Sequence, residues 1–197
     1  AIVVDLGRAE AIIPKREQSP KESFRPGDRI RAYCTEVNKT AKGPQIVLSR
    51  SHPALVKELF KLEVPEIGQG IVEVRSVSRE AGDRTKIAVY SKDEKVDCVG
   101  ACVGMRGTRV KDIVRELHGE KIDIIRWNVK LEEYVSAALA PAKVEEIQLS
   151  ADKNSARVIV EDDQLSLAIG KRGQNVRLAA KLTGVDIDVR SKGQVAI

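Results

Sequence analysis

The chain has 197 residues, of which 42% are hydrophobic and 32% are charged, and its formal net charge is +5 at pH 7. It contains no apolar run approaching the roughly eighteen residues of a membrane helix, no signal-peptide pattern and only three cysteines, so we expect a cytoplasmic protein in a reducing compartment. Aromatic residues make up only 3% of the chain, which excludes a nucleic-acid module that stacks each base on a ring.

Residues 1–50 are predicted to form an all-β unit. Four short strand patterns are separated by turn-rich segments, and they read AIVVDLG, AEAIIP, RIRAYCTEV and PQIVLSR. An OB-type barrel has five strands, so one strand is missing from this set, and we expect it before Ala1. The chain also starts without methionine in the middle of a strand pattern, which is typical of a fragment. The unit is therefore predicted to be an incomplete β-barrel.

Residues 51–127 show a different order of elements. Ser51 is the predicted N-cap of a helix that has Pro53 in its first turn, and the strand patterns GIVEVRSV and RTKIAVYS follow this helix. A short helix in DEKVDCVGACV leads to Gly104 and Gly107, after which TRVKDIVRELHG predicts an amphipathic helix that a glycine ends. The strand KIDIIRW completes the unit.

The same order recurs in residues 128–197. A helix in NVKLEEYVSAALAP, the strands KVEEIQLS and ARVIVED and the short helix DQLSLAI lead to Gly170 and Gly173. The helix QNVRLAAKLTG and the strand VDIDVR follow, and Gly170 lies 66 residues after Gly104. We interpret this pattern as a duplicated domain. Because no Gly-, Pro- or Ser-rich linker separates the two copies, we predict that they pack rigidly against each other.

Each glycine pair forms a G-x-x-G loop between two helices. Glycines allow the backbone of a ligand to approach closely, and the helix that begins after the loop offers unpaired N–H groups and the positive end of its dipole to a phosphate. A plain tight connection between helices is the alternative for one isolated loop, but two copies in matching contexts favour two phosphate sites for one nucleic-acid strand. Cationic residues surround both loops, namely Arg106, Arg109 and Lys111 at the first and Lys171, Arg172 and Arg177 at the second.

The order helix, strand, strand, helix, loop, helix, strand resembles the prokaryotic-type KH domain, whose loop clamps about four single-stranded nucleotides. The match extends over residues 65–127, from PEIGQG to IDIIRW, and over LSLAIGKRGQNVRLAAKLTG. Together with GPQIVLSRSHP, these segments resemble the NusA family of bacterial transcription factors, in which an S1-type OB domain precedes two KH domains. The resemblance implies an α+β fold, with an incomplete OB-fold barrel at 1–50 followed by two tandem prokaryotic-type KH domains at 51–127 and 128–197.

By this resemblance both loops would hold RNA phosphates. The bases would lie in grooves floored by apolar side chains, with Val103 and Ile113 in the first groove and Leu167 and Ile169 in the second. The candidate RNA-binding residues are Val103, Gly104, Met105, Arg106, Gly107, Thr108, Arg109, Lys111, Leu167, Ile169, Gly170, Lys171, Arg172, Gly173, Gln174, Asn175 and Arg177.

Three of these candidates stand at predicted helix starts. Thr108, Gln174 and Asn175 are interpreted either as polar contacts to RNA or as helix caps. The loop glycines themselves are predicted to be exposed, so aspartate in their place is expected to abolish RNA binding while the unit stays folded.

The resemblance also implies partners and a role. The ligand would be single-stranded nascent RNA, and the protein partners would be RNA polymerase, contacted through a domain that this sequence lacks, and other Nus-type antitermination factors. A monomer would modulate pausing, termination and antitermination. Two alternatives stay open, an accessory region of an RNA-processing exonuclease and a ribosome-associated KH protein. In such exonucleases the KH unit usually precedes the S1-type unit, which is the reverse of the order here.

Other constellations do not support catalysis or metal binding. Cys98 and Cys102 lie four residues apart on a predicted helix, but no Cys or His pair of suitable spacing completes a zinc site, so we interpret them as buried small residues. A phosphate-binding P-loop would require glycine in place of Leu165 and serine or threonine in place of Arg172. We therefore predict no enzymatic activity, no metal and no cofactor.

Overall fold

The computed structural model describes residues 1–195 and contains an open four-stranded sheet in its first part. The four predicted strands are all present: β1 (Ile2–Asp5), β2 (Glu10–Ile13), β3 (Tyr33–Thr40) and β4 (Gly43–Ser49). Their order in the sheet is β1-β2-β4-β3, with β2 and β4 parallel and the outer pairs antiparallel. Within the described residues these strands do not close into a barrel, which confirms the incomplete OB-type fold.

The next part of the chain forms one helix–sheet unit. Its elements are α1 (Pro53–Glu63), α2 (Pro65–Gly68), β5 (Glu73–Glu80), β6 (Arg84–Tyr90), α3 (Cys98–Val103), α4 (Thr108–Glu116) and β7 (Lys121–Arg126). Strand β6 is antiparallel to β5 and parallel to β7. The N-cap of α1 is His52, whose Nδ1 accepts from the Ala54 N–H at 2.9 Å, so the prediction of Ser51 as N-cap is wrong by one residue.

The last part repeats this topology. Its elements are α5 (Leu131–Ala138), β8 (Glu146–Leu149), β9 (Ser155–Val160), α6 (Leu165–Ile169), α7 (Gln174–Thr183), β10 (Asp186–Ser191) and α8 (Lys192–Val195). Strand β9 is antiparallel to β8 and parallel to β10, as β6 is to its neighbours. Gly184 ends α7 with φ 73°, the left-handed conformation that glycine adopts at least cost.

The two repeated units, which we call the first and second KH units, share a hydrophobic core. Helix α7 of the second unit packs against β5 and β6 of the first. Ala88 and Ile125 of the first unit belong to the same buried cluster as Val135 and Leu182 of the second. This shared core is the contact that the predicted rigid packing requires.

A buried lysine at the same joint is paired. The Lys86 ammonium donates to the Ala140 carbonyl at 2.8 Å and to Asp123 at 3.0 Å. Burial lowers the pKa of Lys86 to about 8, so at neutral pH the amine remains mainly charged and needs both partners. The joint therefore combines apolar packing with a buried amine that has two hydrogen-bond partners.

Arg50 connects the OB-type unit to the first KH unit. Its side chain is only 1% exposed, and its guanidinium donates to the carboxylate of Glu22 in the first unit of the chain. It also donates to the carbonyl of Glu116 at the end of α4, at 2.8 Å. A buried arginine requires such partners, because an unpaired buried charge is strongly destabilising.

Among residues 1–195, no helix combines the length and apolar character that crossing a membrane would demand.

Candidate nucleic-acid interface

The two G-x-x-G loops have almost the same backbone. Gly104 has φ 77° and ψ 168°, and Gly170 has φ 79° and ψ 169°. The second glycines, Gly107 and Gly173, have φ 74° and 72°. These positive φ values cost a residue with a side chain about 1 to 2 kcal/mol, which explains the two glycines in each loop.

The first glycine of each loop also touches the helix that follows. A Cβ at Gly104 would lie 2.9 Å from the backbone nitrogen of Arg109, and one at Gly170 would lie 2.7 Å from that of Asn175. At Gly107 and Gly173 the nearest atoms are the flexible ends of side chains, at 3.5 and 3.8 Å. The expectation that every loop glycine tolerates aspartate without structural damage is therefore wrong for the first glycine of each pair.

The middle of each loop contains an arginine in the left-handed region. Arg106 has φ 57° and Arg172 has φ 55°. In both loops a basic side chain five residues further on donates to the carbonyl oxygen of this arginine. Lys111 Nζ lies 3.1 Å from the Arg106 oxygen, and Arg177 Nη1 lies 2.9 Å from the Arg172 oxygen. These hydrogen bonds help to hold the strained backbone.

Helices α4 and α7 begin directly at the loops, with Gly107 and Gly173 as their N-caps. Neither helix has a side-chain hydrogen bond at its cap. The alternative interpretation of Thr108, Gln174 and Asn175 as caps is therefore wrong. The N–H groups of Thr108 and Gln174 donate to the carbonyls of Met105 and Lys171, so the later N–H groups of the first turn and the positive dipole end are what each helix offers to an anion.

The residues five positions after the first glycines differ between the loops. Arg109 donates to the Glu66 carboxylate at 2.8 Å and to the Ala101 carbonyl at 2.7 Å. Its counterpart Asn175 is fully buried and donates to the carbonyls of Leu139 and Ala168, at 3.0 and 2.9 Å. Asn175 cannot reach a ligand from this position, which corrects its interpretation as an RNA contact. Its amide instead ties α7 to the turn after α5 and to α6.

Arg177 is also occupied within the protein. Its Nε and Nη2 donate to both carboxylate oxygens of Glu80, at 3.0 and 2.8 Å. Arg177 lowers the pKa of Glu80, and Gln174 and Lys181 contribute in the same direction. Glu80 is therefore ionised at neutral pH, and the charge of Arg177 is largely compensated.

The remaining candidate residues lie at the surface of the loops. Arg106 is exposed beside Met105, which is 82% exposed, whereas the second loop exposes two cations, Lys171 and Arg172. Among residues 1–195, these three cations form no ion pair. Thr108 and Lys111 are also exposed, and Gln174 is half-buried beside Glu80.

The apolar side chains beside the loops have unequal exposure. Val103 and Ile169 are half-buried at the ends of α3 and α6, and Leu167 is 44% exposed. Ile113 is buried in the core of the first KH unit, so it supports the groove from below instead of forming its floor.

Two residues that shape the loops, Glu66 and Glu80, are not among the predicted site residues. They lie 43 and 97 residues from the arginines that they bind. No local pattern marks either glutamate, because each becomes a partner only when α2 or β5 is placed beside the loop helices.

Sequence families match all three units. The family described as the NusA-like first KH domain matches residues 50–127, and the NusA-like second KH domain matches residues 131–196. Residues 1–50 match the S1 RNA binding domain. In the crystal structure titled "Crystal structure of APE1850", a chain that is 24% identical aligns with 70% of this chain and 97% of its own length at a TM-score of 0.51, a similarity of fold alone.

Curated proteins named transcription termination/antitermination protein NusA are similar over nearly the entire chain. The protein of Halalkalibacterium halodurans is 59% identical over 193 residues, which cover 98% of this chain and 50% of that protein. The Bacillus subtilis protein is 57% identical, with 97% and 52% covered, and the Thermus thermophilus protein is 50% identical, with 94% and 48% covered. The chain spans about half the length of these relatives. Since its S1 domain and its two KH units follow one another as the resemblance predicted, the chain belongs to the NusA family.

Proposed function

We propose that this chain captures single-stranded nascent RNA with two phosphate-binding loops and thereby takes part in transcription pausing, termination and antitermination. The repeated loop geometry is the observation that carries the proposal. Each loop precedes a helix without a side-chain cap, and each exposes at least one cation without an ion pair among residues 1–195, namely Arg106, Lys171 and Arg172. Such helix starts bind phosphate irrespective of base sequence.

The proposal extends to the organisation and partners of the protein. We assign residues 1–50 to the OB-type unit and residues 51–127 and 128–197 to the two KH units, in a monomer without a catalytic step or a cofactor. RNA polymerase and other antitermination factors are the proposed partners, because the curated relatives carry termination and antitermination in their names. A role on nascent transcripts would place the protein in the cytoplasm.

Binding to RNA of defined structure tests the central claim. At about four nucleotides per KH loop, an unpaired oligomer of roughly eight or more nucleotides should engage both loops, whereas a duplex keeps its bases paired, so they cannot enter the apolar grooves beside the loops. We expect fluorescence anisotropy to give at least about tenfold tighter binding to an unstructured 12-nucleotide RNA than to a hairpin stem, a difference of about 1.4 kcal/mol. Equal affinity for the two RNAs would contradict the proposal.

A further inference from the structure

The second loop is held by a side chain that also binds the first KH unit. Arg177 donates through Nη1 to the Arg172 carbonyl oxygen at 2.9 Å. Through Nε and Nη2 the same guanidinium binds the carboxylate of Glu80, the last residue of β5. One planar group therefore connects a loop residue of the second unit to a carboxylate of the first.

The geometry of this group makes the two contacts interdependent. An arginine that binds a carboxylate with two parallel hydrogen bonds has a fixed orientation, so its remaining N–H groups have fixed directions. In this structure one of them points at the Arg172 oxygen. Because Arg172 has a left-handed backbone with φ 55°, the loop depends on such contacts to keep its shape.

The first loop is held differently. Lys111 Nζ donates to the Arg106 oxygen at 3.1 Å, and among the ion pairs of residues 1–195 none involves Lys111. A flexible lysine with one acceptor constrains the loop less than an arginine that a carboxylate orients. The two loops thus share a carbonyl contact, but among residues 1–195 only the second loop has a partner in the other unit.

We propose that Glu80 is a positioning residue for the second phosphate-binding loop. By orienting Arg177, it fixes the Arg172 carbonyl and with it the backbone of the second loop from which α7 begins. The second site is therefore assembled from both KH units. This inference rests on the proposed function, because it assumes that the second loop binds RNA.

The sign of the effect separates positioning from simple electrostatics. Glu80 lies beside the start of α7, where Gln174 contributes to lowering its pKa. A carboxylate near a phosphate site repels RNA, so electrostatics alone predicts that removal of Glu80 tightens binding. Positioning predicts the opposite, since Arg177 and the loop would lose their orientation.

The experiment compares Glu80→Ala with Asp83→Ala in the complete chain. Asp83 lies on the same β5–β6 turn, is half-exposed and contacts Lys21, so its removal changes the net charge equally without touching the loop. With an unstructured 12-nucleotide RNA, Glu80→Ala should weaken binding about threefold to fivefold, which corresponds to one partly exposed ion pair. Asp83→Ala should leave the affinity unchanged or raise it.

Two further measurements distinguish positioning from general damage. In the free protein, the backbone amide resonances of residues 171–174 should shift in Glu80→Ala and not in Asp83→Ala, while resonances of the two cores stay in place. Arg177→Lys would give the second loop the arrangement of the first, so adding Glu80→Ala to that variant should cost no further affinity.

The outcomes separate the inference from the proposed function. Unchanged or tighter RNA binding by Glu80→Ala, or an additional loss in the Arg177→Lys background, would overturn the positioning role. If the unmodified protein itself did not bind the unstructured RNA, the proposed function would be contradicted instead.

Discussion

The first and second G-x-x-G loops have the same backbone and different supports. Their φ angles agree within 2° at both glycines and at the middle arginine. The first loop is supported by the ion pair of Arg109 with Glu66 and by Lys111, and the second by the buried Asn175 and by Arg177 with Glu80.

This comparison distinguishes the residues that set the shape of a loop from the exposed residues that face its ligand. Glycine positions are shared because they set the backbone, whereas the supporting side chains differ because several contacts can hold the same carbonyl. The exposed loop residues also differ, with Met105 in the first loop where the second has Lys171. The two sites are therefore expected to bind the same group with different salt dependence.

The largest expected effect comes from carboxylates at the open glycines. Gly107→Asp combined with Gly173→Asp should weaken RNA binding about hundredfold or more, because each carboxylate repels the phosphate and the charge-assisted hydrogen bonds of both loops are lost. Gly107→Asn with Gly173→Asn is the matched control, since it adds a side chain of the same size without charge. If the aspartate variant had a native circular dichroism spectrum and undiminished affinity for RNA, the proposal that the loops bind phosphate would be contradicted.

A difference in stability should follow from the two supports. Asn175→Ala removes two buried hydrogen bonds, although the Leu139 carbonyl keeps the Ala142 N–H as a donor at 3.1 Å, and it should lower the free energy of unfolding by about 2 kcal/mol. Arg109→Ala removes a partly exposed ion pair and a single carbonyl contact, so its cost should be about 1 kcal/mol. Urea denaturation measures both values. Equal losses would mean that the burial of Asn175 adds nothing to the support of the second loop.

Exchanging the residue that differs between the loops should change their salt dependence. Each phosphate contact on a single strand adds about 0.7 to the slope of log affinity against log salt. Lys171→Met should therefore flatten the slope by about 0.7, and Met105→Lys should steepen it by about the same amount. Titrations at several salt concentrations provide the slopes. If both slopes stayed unchanged, the side chains at positions 105 and 171 would be solvent-exposed and would not contact phosphate.

The smallest expected effect is the change in stability that the Glu80–Arg177 pair causes at acidic pH. Arg177 holds the pKa of Glu80 below its usual range. A carboxyl with a lowered folded pKa stabilises the fold above its unfolded pKa, about 4.3, and loses that contribution as the pH falls through the folded pKa. The difference in unfolding free energy between the protein and Glu80→Gln should stay below about 1 kcal/mol, because the pair is partly exposed. That difference in unfolding free energy should be constant from pH 7 to 5 and should shrink below about pH 4. If it already changed at pH 6, the pH dependence would belong to a titratable group other than Glu80.

Local sequence patterns are sufficient to predict the strands of the OB-type unit and the elements around both loops. The four strands of the OB-type unit, the duplicated helix and strand order and both glycine pairs are all predicted from residues close together in the sequence. Periodicity and glycine act over one or two turns, so these signals survive without tertiary information. The N-cap of α1 was missed by one residue, because the histidine at position 52 and the serine before it can both accept from the first turn.

The sequence by itself determined that two G-x-x-G loops would exist and where their glycines lie. Tertiary structure alone decided which of the surrounding cations stay available to RNA. Arg109 and Arg177 are neutralised by carboxylates that lie 43 and 97 residues away, and Asn175 is buried by contacts with Leu139 and Ala168. Charge and polarity are visible in a sequence, but exposure and pairing depend on which elements pack together. Here the packing of α7 on the first KH unit pairs Arg177 with Glu80, whereas packing within each unit pairs Arg109 and buries Asn175.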